Sequence, residues 1–258
     1  MNFNKLKKFA AAAAAAFLSV TIMIGASVSA AESKDVWKDA KAMADASYSS
    51  KYIKWVEKYS QKKTSKTISY SKSKTKDFFD KYNAVREENK PLSYSLVDED
   101  IIMSVAYSDS DFKSVSFGED MTFAVYVNAK ELNVLDIDAK EKASVSVNNE
   151  FFQEFRETAV DKSMMLDIIG FGSDYNKNGK YIKFKSDDKV YYYEKFKNDI
   201  FNSDIGFLFN EKGKLLALGT DSGAFCVSIS YNIDDSDFKI PDGYKTVDYD
   251  DLDSDFFN

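Results

Sequence analysis

Histidine is absent from this sequence of 258 residues, and cysteine occurs once, as Cys226. Without histidine the chain cannot build a Ser-His-Asp triad, a Cys-His dyad or a histidine-ligated zinc site. With a single cysteine it cannot form an internal disulfide, so the fold depends on its core alone. The nucleophile-elbow, P-loop and dinucleotide-binding motifs are also missing. We therefore expect a protein that is not an enzyme and that uses no cofactor or metal.

Acidic residues outnumber basic ones by 42 to 35, which gives the chain a formal charge of −7. The first 30 residues contain three lysines and no acids, so the other 228 carry −10. A protein of this net charge has no overall field that attracts phosphates, which argues against nucleic acid as a partner. Aromatic residues make up 15% of the chain, a share that suits a sheet-rich fold.

The N-terminal residues 1–30 have the pattern of a secretory signal peptide. Three early lysines precede an apolar run at residues 9–25, and small residues follow at Val28-Ser29-Ala30. The alternative is a retained membrane anchor, but the alanine-rich run and its small-residue end favour cleavage, with export of a chain that begins at Ala31 or Glu32. We expect a secreted or envelope-associated protein with no later transmembrane segment. It would have one domain at residues 31–247 and an acidic tail at residues 248–258.

Apolar residues at helical spacing predict three helical regions. The first covers residues 33–60 in two pieces, the second residues 77–89, and the third begins at Asn148 or Asn149 and ends near Gly170. We expect the first region to cover the open face of a sheet; a partner-binding helix is the alternative.

A lysine-rich run at residues 61–76 stands out as a basic segment in this acidic chain. Residues 67–71 within it can form a strand. We expect a solvated edge strand that its lysines protect from pairing with other chains. The functional alternative is contact with an anionic cell-wall polymer or a membrane surface.

From Pro91 onward, short alternating strands separated by turn residues predict an antiparallel meander that one helix interrupts. Residues 181–185 and 190–194 resume it, and residues 207–218 predict a hairpin around Asn210–Gly213. The most regular strand covers residues 225–233. Its large residues alternate with small or polar ones, which predicts one buried face and one wet or lightly packed face. Pro241 and Gly243 are expected to end the sheet.

Residues 174–179 are the nearest match to a metal motif. Asp174, Asn176, Asn178 and Gly179 have the spacing that starts an EF-hand calcium loop, but Lys185 stands where a bidentate Glu is required. An Asn-Gly turn that enters the next strand is the favoured interpretation.

The C-terminal region holds many aspartates between residues 234 and 255. Paired carboxylates can hydrolyse glycosides, but that chemistry needs one carboxyl with a raised pKa in a cleft. We expect these aspartates to be solvated or to bind cations weakly. For Cys226 we expect a packing role, because a reactive thiol needs a nearby cation.

The order of elements resembles the outer-membrane lipoprotein carrier (LolA-like) half-barrel superfamily. The local likeness lies in residues 207–215, in Val227-Ser-Ile-Ser-Tyr231 and in Phe238-Lys-Ile-Pro241, with residues 126–145 similar to a central strand pair. The resemblance implies an α+β fold in which a curved antiparallel sheet, a half-barrel, wraps over two or three helices and encloses an apolar space.

The function expected from this resemblance is binding, without catalysis, of an apolar or amphiphilic ligand such as a lipid, or of an envelope partner, in the sheet concavity. A structural or interaction domain with a packed core and no ligand is the alternative, followed by a carboxylate hydrolase. The large residues of the alternating strands would line the ligand space: Phe123, Val125, Val127, Phe207, Phe209, Phe225, Val227, Ile229 and Tyr231.

Overall fold

The computed structural model describes residues 42, 45–99, 102–108, 111–117, 122–148, 152–153, 166, 175, 177–198, 202–220, 223–233 and 235–248. Two α helices are described from end to end, α1 (Ser50–Ser60) and α2 (Lys74–Glu87). The strands are β1 (Thr67–Ser69), β2 (Leu92–Val97), β3 (Ile102–Ser108), β4 (Asp111–Phe117), β5 (Thr122–Val127), β6 (Glu131–Asp136), β7 (Glu141–Ser146), β8 (Asn178–Ser186), β9 (Lys189–Asn198), β10 (Ser203–Asn210), β11 (Leu215–Gly219), β12 (Ala224–Ser230) and β13 (Lys245–Thr246).

All of these strands belong to one sheet, in the order β1-β8-β9-β10-β11-β12-β2-β3-β4-β5-β6-β7-β13. Two antiparallel meanders, β2 to β7 and β8 to β12, meet where β12 pairs with β2, and β13 pairs with β7 in parallel. The predicted meander is confirmed, because sequence-adjacent strands within each half are neighbours in the sheet. The pairing of β12 with β2 is between strands far apart in sequence, and it joins the two halves.

The predicted half-barrel wrapped over two or three helices is wrong. The two helices pack on opposite faces of a large mixed sheet. Phe79 and Tyr82 of α2 contribute to a main core with one face of most strands. Val56 and Tyr59 of α1 pack against Tyr191, Tyr193, Leu208, Ala217 and Ala224 on the other face. Because both faces of the sheet carry apolar residues that must be buried, helices on a single concave side could not bury them all.

The C-terminal segment covers another part of the α1 face. Ile240 and Tyr244 pack against a cluster from β4 to β6 that includes Val115, Tyr126 and Leu135. The expectation that Pro241 and Gly243 end the sheet is wrong, because β13 follows them and adds an edge strand beside β7.

Strand β12 is shorter than predicted and is covered on both faces in its first half. It ends at Ser230, and Tyr231 and Ile233 lie beyond it. Phe225 and Val227 face the main core, as the alternation predicts. The opposite face is not wet, because Cys226 is fully buried there. Alternation of large and small residues therefore identified the strand but not the cover over its small side chains.

Several local predictions are confirmed. Helix α2 matches the second predicted helix, and β1 lies at a sheet edge within the lysine-rich run. Residues Asp187 and Asp188 both have positive φ, as a two-residue hairpin turn between β8 and β9 requires. Gly213, with φ of 78°, closes the predicted hairpin between β10 and β11.

Parts of two predicted helices lie outside the described residues. These are most of the first piece of residues 33–60 and most of the region after Asn148. Phe152 and Leu166, the apolar positions described in the second region, are buried in the main core. The predicted signal peptide and most of the acidic tail are likewise outside the described residues.

A buried carboxylate fixes α2 to the sheet. Glu194 of β9 is 1% exposed, and its oxygens accept hydrogen bonds from the backbone N–H of Lys74 at 3.1 Å and of Thr75 at 2.9 Å. The Thr75 hydroxyl donates to the same carboxylate at 2.8 Å. The N-cap Ser73 accepts from the N–H of Lys76. The N-terminal donors of α2 are thus satisfied, and an anion lies at the positive end of the helix dipole.

Glu194→Gln tests this attachment. The amide keeps the shape of the side chain but removes its charge and turns an NH2 group towards backbone donors. We expect a loss of about 1–3 kcal/mol in the free energy of unfolding, measured by urea denaturation. Glu211→Gln, in the exposed turn after β10, is the matched control and is expected to leave stability unchanged. Equal stability of the two variants would contradict the role given to Glu194.

Candidate functional site

Eight of the nine residues predicted to line a ligand space lie in or against the main core. Seven are buried: Phe123, Val125, Val127, Phe207, Phe209, Phe225 and Val227. Ile229 is partly buried against the same core. Tyr231 differs, since it is 39% exposed beyond the end of β12, with the Lys81 ammonium 4.7 Å from its ring centroid. The structure therefore brings eight of the residues to one face of the sheet and leaves Tyr231 at the surface.

Side chains of the protein itself pack over this face. The Phe79 ring of α2 meets Phe207 edge-on at a centroid distance of 5.8 Å, and Tyr175 lies 6.1 Å from Phe207. Phe78 approaches Phe209 at 6.5 Å. Phe207 and Phe209 are fully buried by this packing. The arrangement favours the packed-core alternative, and the ligand-binding role of these residues stays a prediction.

Cys226 contributes to packing at the start of α1. Its Sγ accepts a hydrogen bond from the N–H of Ser49 at 3.3 Å and lies 3.4 Å from the Ser49 carbonyl oxygen, to which it donates. Ser49 is the N-cap of α1 and has no side-chain cap of its own. Burial raises the pKa of the Cys226 thiol, which keeps it protonated and a poor nucleophile.

Asp174 and Asn176 of the calcium-like motif lie outside the described residues. Asn178 and Gly179 do not form a turn before the strand, because β8 already begins at Asn178 and Gly179 pairs with Ile68 of β1. This part of the prediction is corrected: the strand starts three residues earlier than residue 181. Across the described residues, no group of three or more acidic or thiol side chains is arranged to hold a metal ion.

A strongly basic region extends from the β1 edge of the sheet to the helix α1 on one of its faces. Residues 50–76 and 177–198, which form α1, β1, β8, β9 and the start of α2, contain sixteen lysines against four acids, a net charge of +12. The whole chain carries −7, so the remainder carries −19. We call these two stretches the basic end. Because β1, β8 and β9 are consecutive in the sheet, pairing brings the two stretches together.

Few of these lysines are neutralised by the described residues. Lys51 pairs with Asp187, while Asp80 and Asp204 from adjoining elements pair with Lys76 and Lys195. The other thirteen lysines of the basic end have no carboxylate partner in the described part of the chain. Positive charge is thus concentrated on the β1 edge and on α1, where it raises the local potential despite the negative total.

On the α1 face, lysines lie over the rings of Trp55, which is partly buried, and Tyr59, which is buried. The ammonium of Lys51 is 5.7 Å from the Trp55 ring centroid, and those of Lys58 and Lys62 are 5.6 Å and 5.7 Å from that of Tyr59. Trp55 packs edge-on against Phe184 of β8 at 5.1 Å. Lys195 donates to the Ser60 carbonyl oxygen at 2.9 Å, at the end of α1. The aromatic contacts fix α1 to β8 and β9 and leave its lysines towards solvent.

On the α2 face, two more lysines flank Tyr192. The Lys74 ammonium is 4.7 Å and the Lys183 ammonium 5.4 Å from its ring centroid. The same contact places Lys183 on this face, opposite to its neighbours Ile182 and Phe184, which pack under α1. Lys185 has the same parity as Lys183 and is exposed.

The sequence interpretation found half of this surface. It singled out residues 61–76, but not residues 177–197, which supply seven further lysines. The available signal was the alternation of apolar residues with lysine in Ile182-Lys183-Phe184-Lys185, which is typical of a strand with an exposed basic face. What the sequence does not reveal is that β1 pairs with β8.

Comparison with known proteins does not assign the chain to a family. No protein-family model and no curated protein matches it. A solved structure that matches is the crystal structure of an uncharacterized conserved protein from Thermus thermophilus, which is 7% identical, with 68% of this chain and 99% of that chain covered and a TM-score of 0.37. So low a score carries no conclusion about fold or function, and the LolA-like resemblance stays a prediction.

In the described residues, every helix is too short or too polar to cross a membrane.

Phe207→Ala separates a packed core from an open ligand space. Since Phe207 is fully buried and touches two aromatic rings, we expect a loss of about 3–5 kcal/mol in the free energy of unfolding, measured by urea denaturation. Tyr231→Ala, at the exposed predicted lining residue, is the control and should cost about 1 kcal/mol or less. A small loss at Phe207, together with a melting temperature that rises when fatty acid or phospholipid is added, would instead support a ligand space.

Cys226 predicts a pH dependence of stability. Because burial raises the pKa of the thiol, the folded state holds the proton more tightly than the unfolded state does. Its contribution is therefore complete below the ordinary thiol pKa of 9.0 and is lost as the pH rises above it. Urea denaturation from pH 7 to 10 should show a steeper loss of stability in the wild type than in Cys226→Ala. Parallel pH profiles would contradict this expectation.

Proposed function

We propose that this protein is a secreted, non-catalytic interaction domain that binds an anionic partner of the cell envelope through its basic end. The observation that carries the proposal is the segregation of charge, with +12 in residues 50–76 and 177–198 of a chain whose total is −7. Such a separation lets an acidic protein attract anions at one place while the rest of its surface repels them. Secretion is proposed from the signal-like pattern of residues 1–30.

The state of the reactive groups supports a non-catalytic role. Among the described residues, Glu194 is the buried acid, and the start of α2 engages both of its oxygens. The Cys226 thiol is fully buried, is hydrogen-bonded to Ser49 and has a raised pKa. This buried acid and this thiol therefore serve to attach helices to the sheet.

The packed main core supports recognition at the surface in preference to recognition in the interior. Phe207 and Phe209 face α2 with no exposed area. By contrast, lysines such as Lys62, Lys66, Lys183 and Lys185 are exposed at the basic end. An anionic partner can reach these side chains without any rearrangement of the core.

Cation-exchange chromatography at pH 7 tests the proposal. A protein with a sequence pI near 4.9 is not retained if its charge is evenly spread. We expect the wild type to be retained at low salt and to elute as salt screens the contact. The variant with Lys62, Lys66, Lys183 and Lys185 all changed to Gln should flow through.

The matched control changes four exposed lysines outside the basic end, Lys90, Lys130, Lys239 and Lys245, to Gln. It has the same net charge as the test variant, and we expect it to be retained like the wild type. The proposal would be contradicted if the wild type flowed through, or if the two variants were retained equally.

A further inference from the structure

The lysines of the basic end lie on both faces of the sheet and around its edge. Lys54 and Lys58 are exposed on α1, which packs on one face, and Lys62 lies over Tyr59 beside it. Lys74 and Lys183 flank Tyr192 on the opposite face. From α1 the chain runs through Lys62 and Lys66 to the edge strand β1, which is three residues long and is followed in the sheet by β8. A partner that neutralises both groups has to pass around this edge.

A flat membrane surface fits this arrangement poorly. It would meet the lysines of one face and leave those of the other in water. Peripheral membrane binding also uses exposed aromatic or aliphatic anchors. Among the described residues the exposed large hydrophobic side chains are Tyr48 and Tyr231, and both are outside the basic end. Trp55 and Phe184 are partly buried against each other, so neither is free to insert.

Nucleic acid also fits poorly. Proteins that bind single strands offer aromatic faces on which bases stack. At the basic end the rings of Tyr59 and Tyr192 are covered by lysine ammonium groups or by packing, and neither ring belongs to an exposed residue.

We propose that the occupant of the basic end is a flexible linear polyanion without bases, of the polyphosphate or polyphosphodiester class. Such a chain passes around the β1 edge and contacts lysines on both faces of the sheet. This inference rests on the proposed function and specifies the partner. Flexible phosphate chains satisfy separated ammonium groups one at a time, and each contact releases a counterion, so that binding is strongly salt-dependent.

Two triple variants test the inference, each of which removes three lysines from one face of the sheet. One changes Lys54, Lys58 and Lys62 to Gln, and the other changes Lys74, Lys183 and Lys185 to Gln. The control triple changes Lys90, Lys130 and Lys239. Binding of each to long-chain inorganic polyphosphate and to tripolyphosphate is measured by titration calorimetry at several salt concentrations.

We expect each face triple to weaken binding of the long chain, by roughly tenfold if three exposed ion pairs are lost. Each triple should also reduce the slope of log K against log salt by about 2. The control triple should match the wild type. Tripolyphosphate, which is too short to reach both faces, should bind more weakly and should respond to one face triple at most.

A loss confined to one triple would overturn the inference, because the chain would then contact a single face. Tighter binding to phosphatidylcholine–phosphatidylglycerol vesicles than to polyphosphate would overturn it in favour of a membrane. Tighter binding to oligothymidylate of equal charge would overturn it in favour of nucleic acid. If the wild type is retained on the cation exchanger but does not bind polyphosphate, this inference fails and the proposed function stands.

Discussion

The hydrogen bonds between the Glu194 carboxylate and the first residues of α2 join the helix to the sheet. A carboxylate buried at 1% exposure is costly unless its lone pairs are satisfied, and here two backbone N–H groups and one hydroxyl satisfy them. The same bonds satisfy donors that any helix start leaves open. Each partner therefore removes the desolvation penalty of the other, and neither arrangement is stable in its buried position alone.

This contact also determines what lies on either side of β9. With the start of α2 held at Glu194, Phe79 reaches Phe207 in the main core, and the Lys74 side chain lies over Tyr192 at the surface. On the opposite face, Lys195, the next residue of β9, donates to the end of α1. One strand thus positions both helices, and with them the lysines on both faces of the basic end. A strand can do this because successive side chains point to opposite faces.

Prediction from the sequence succeeded where a signal is local. Alternation identified β2 to β7, an Asn-to-Gly turn identified the β10–β11 hairpin, and the periodicity of Phe79 and Tyr82 identified α2. Prediction failed where the burial of a side chain depended on packing by an element distant in sequence. Cys226 was assigned to a lightly packed face, since its own strand does not reveal that α1 begins above it. Tyr231 follows the alternating pattern but lies past the end of β12, where pairing with β2 has stopped.

By itself the sequence determined that the protein has no histidine chemistry and no internal disulfide, and that it folds largely as antiparallel strands with amphipathic helices. The first two properties follow from the amino-acid composition. The strands and helices follow from apolar residues that recur every two or about every four positions, a pattern that is complete within each segment. Only the tertiary structure decided that β12 pairs with β2, that β1 pairs with β8, and that the helices cover opposite faces. Those strand pairings join segments more than a hundred residues apart. They are made by backbone N–H and C=O groups, which are nearly the same in every residue, so the side-chain sequence does not specify which strand pairs with which. For the same reason the basic end exists only in the folded chain, because two lysine-rich stretches become one surface when their strands pair.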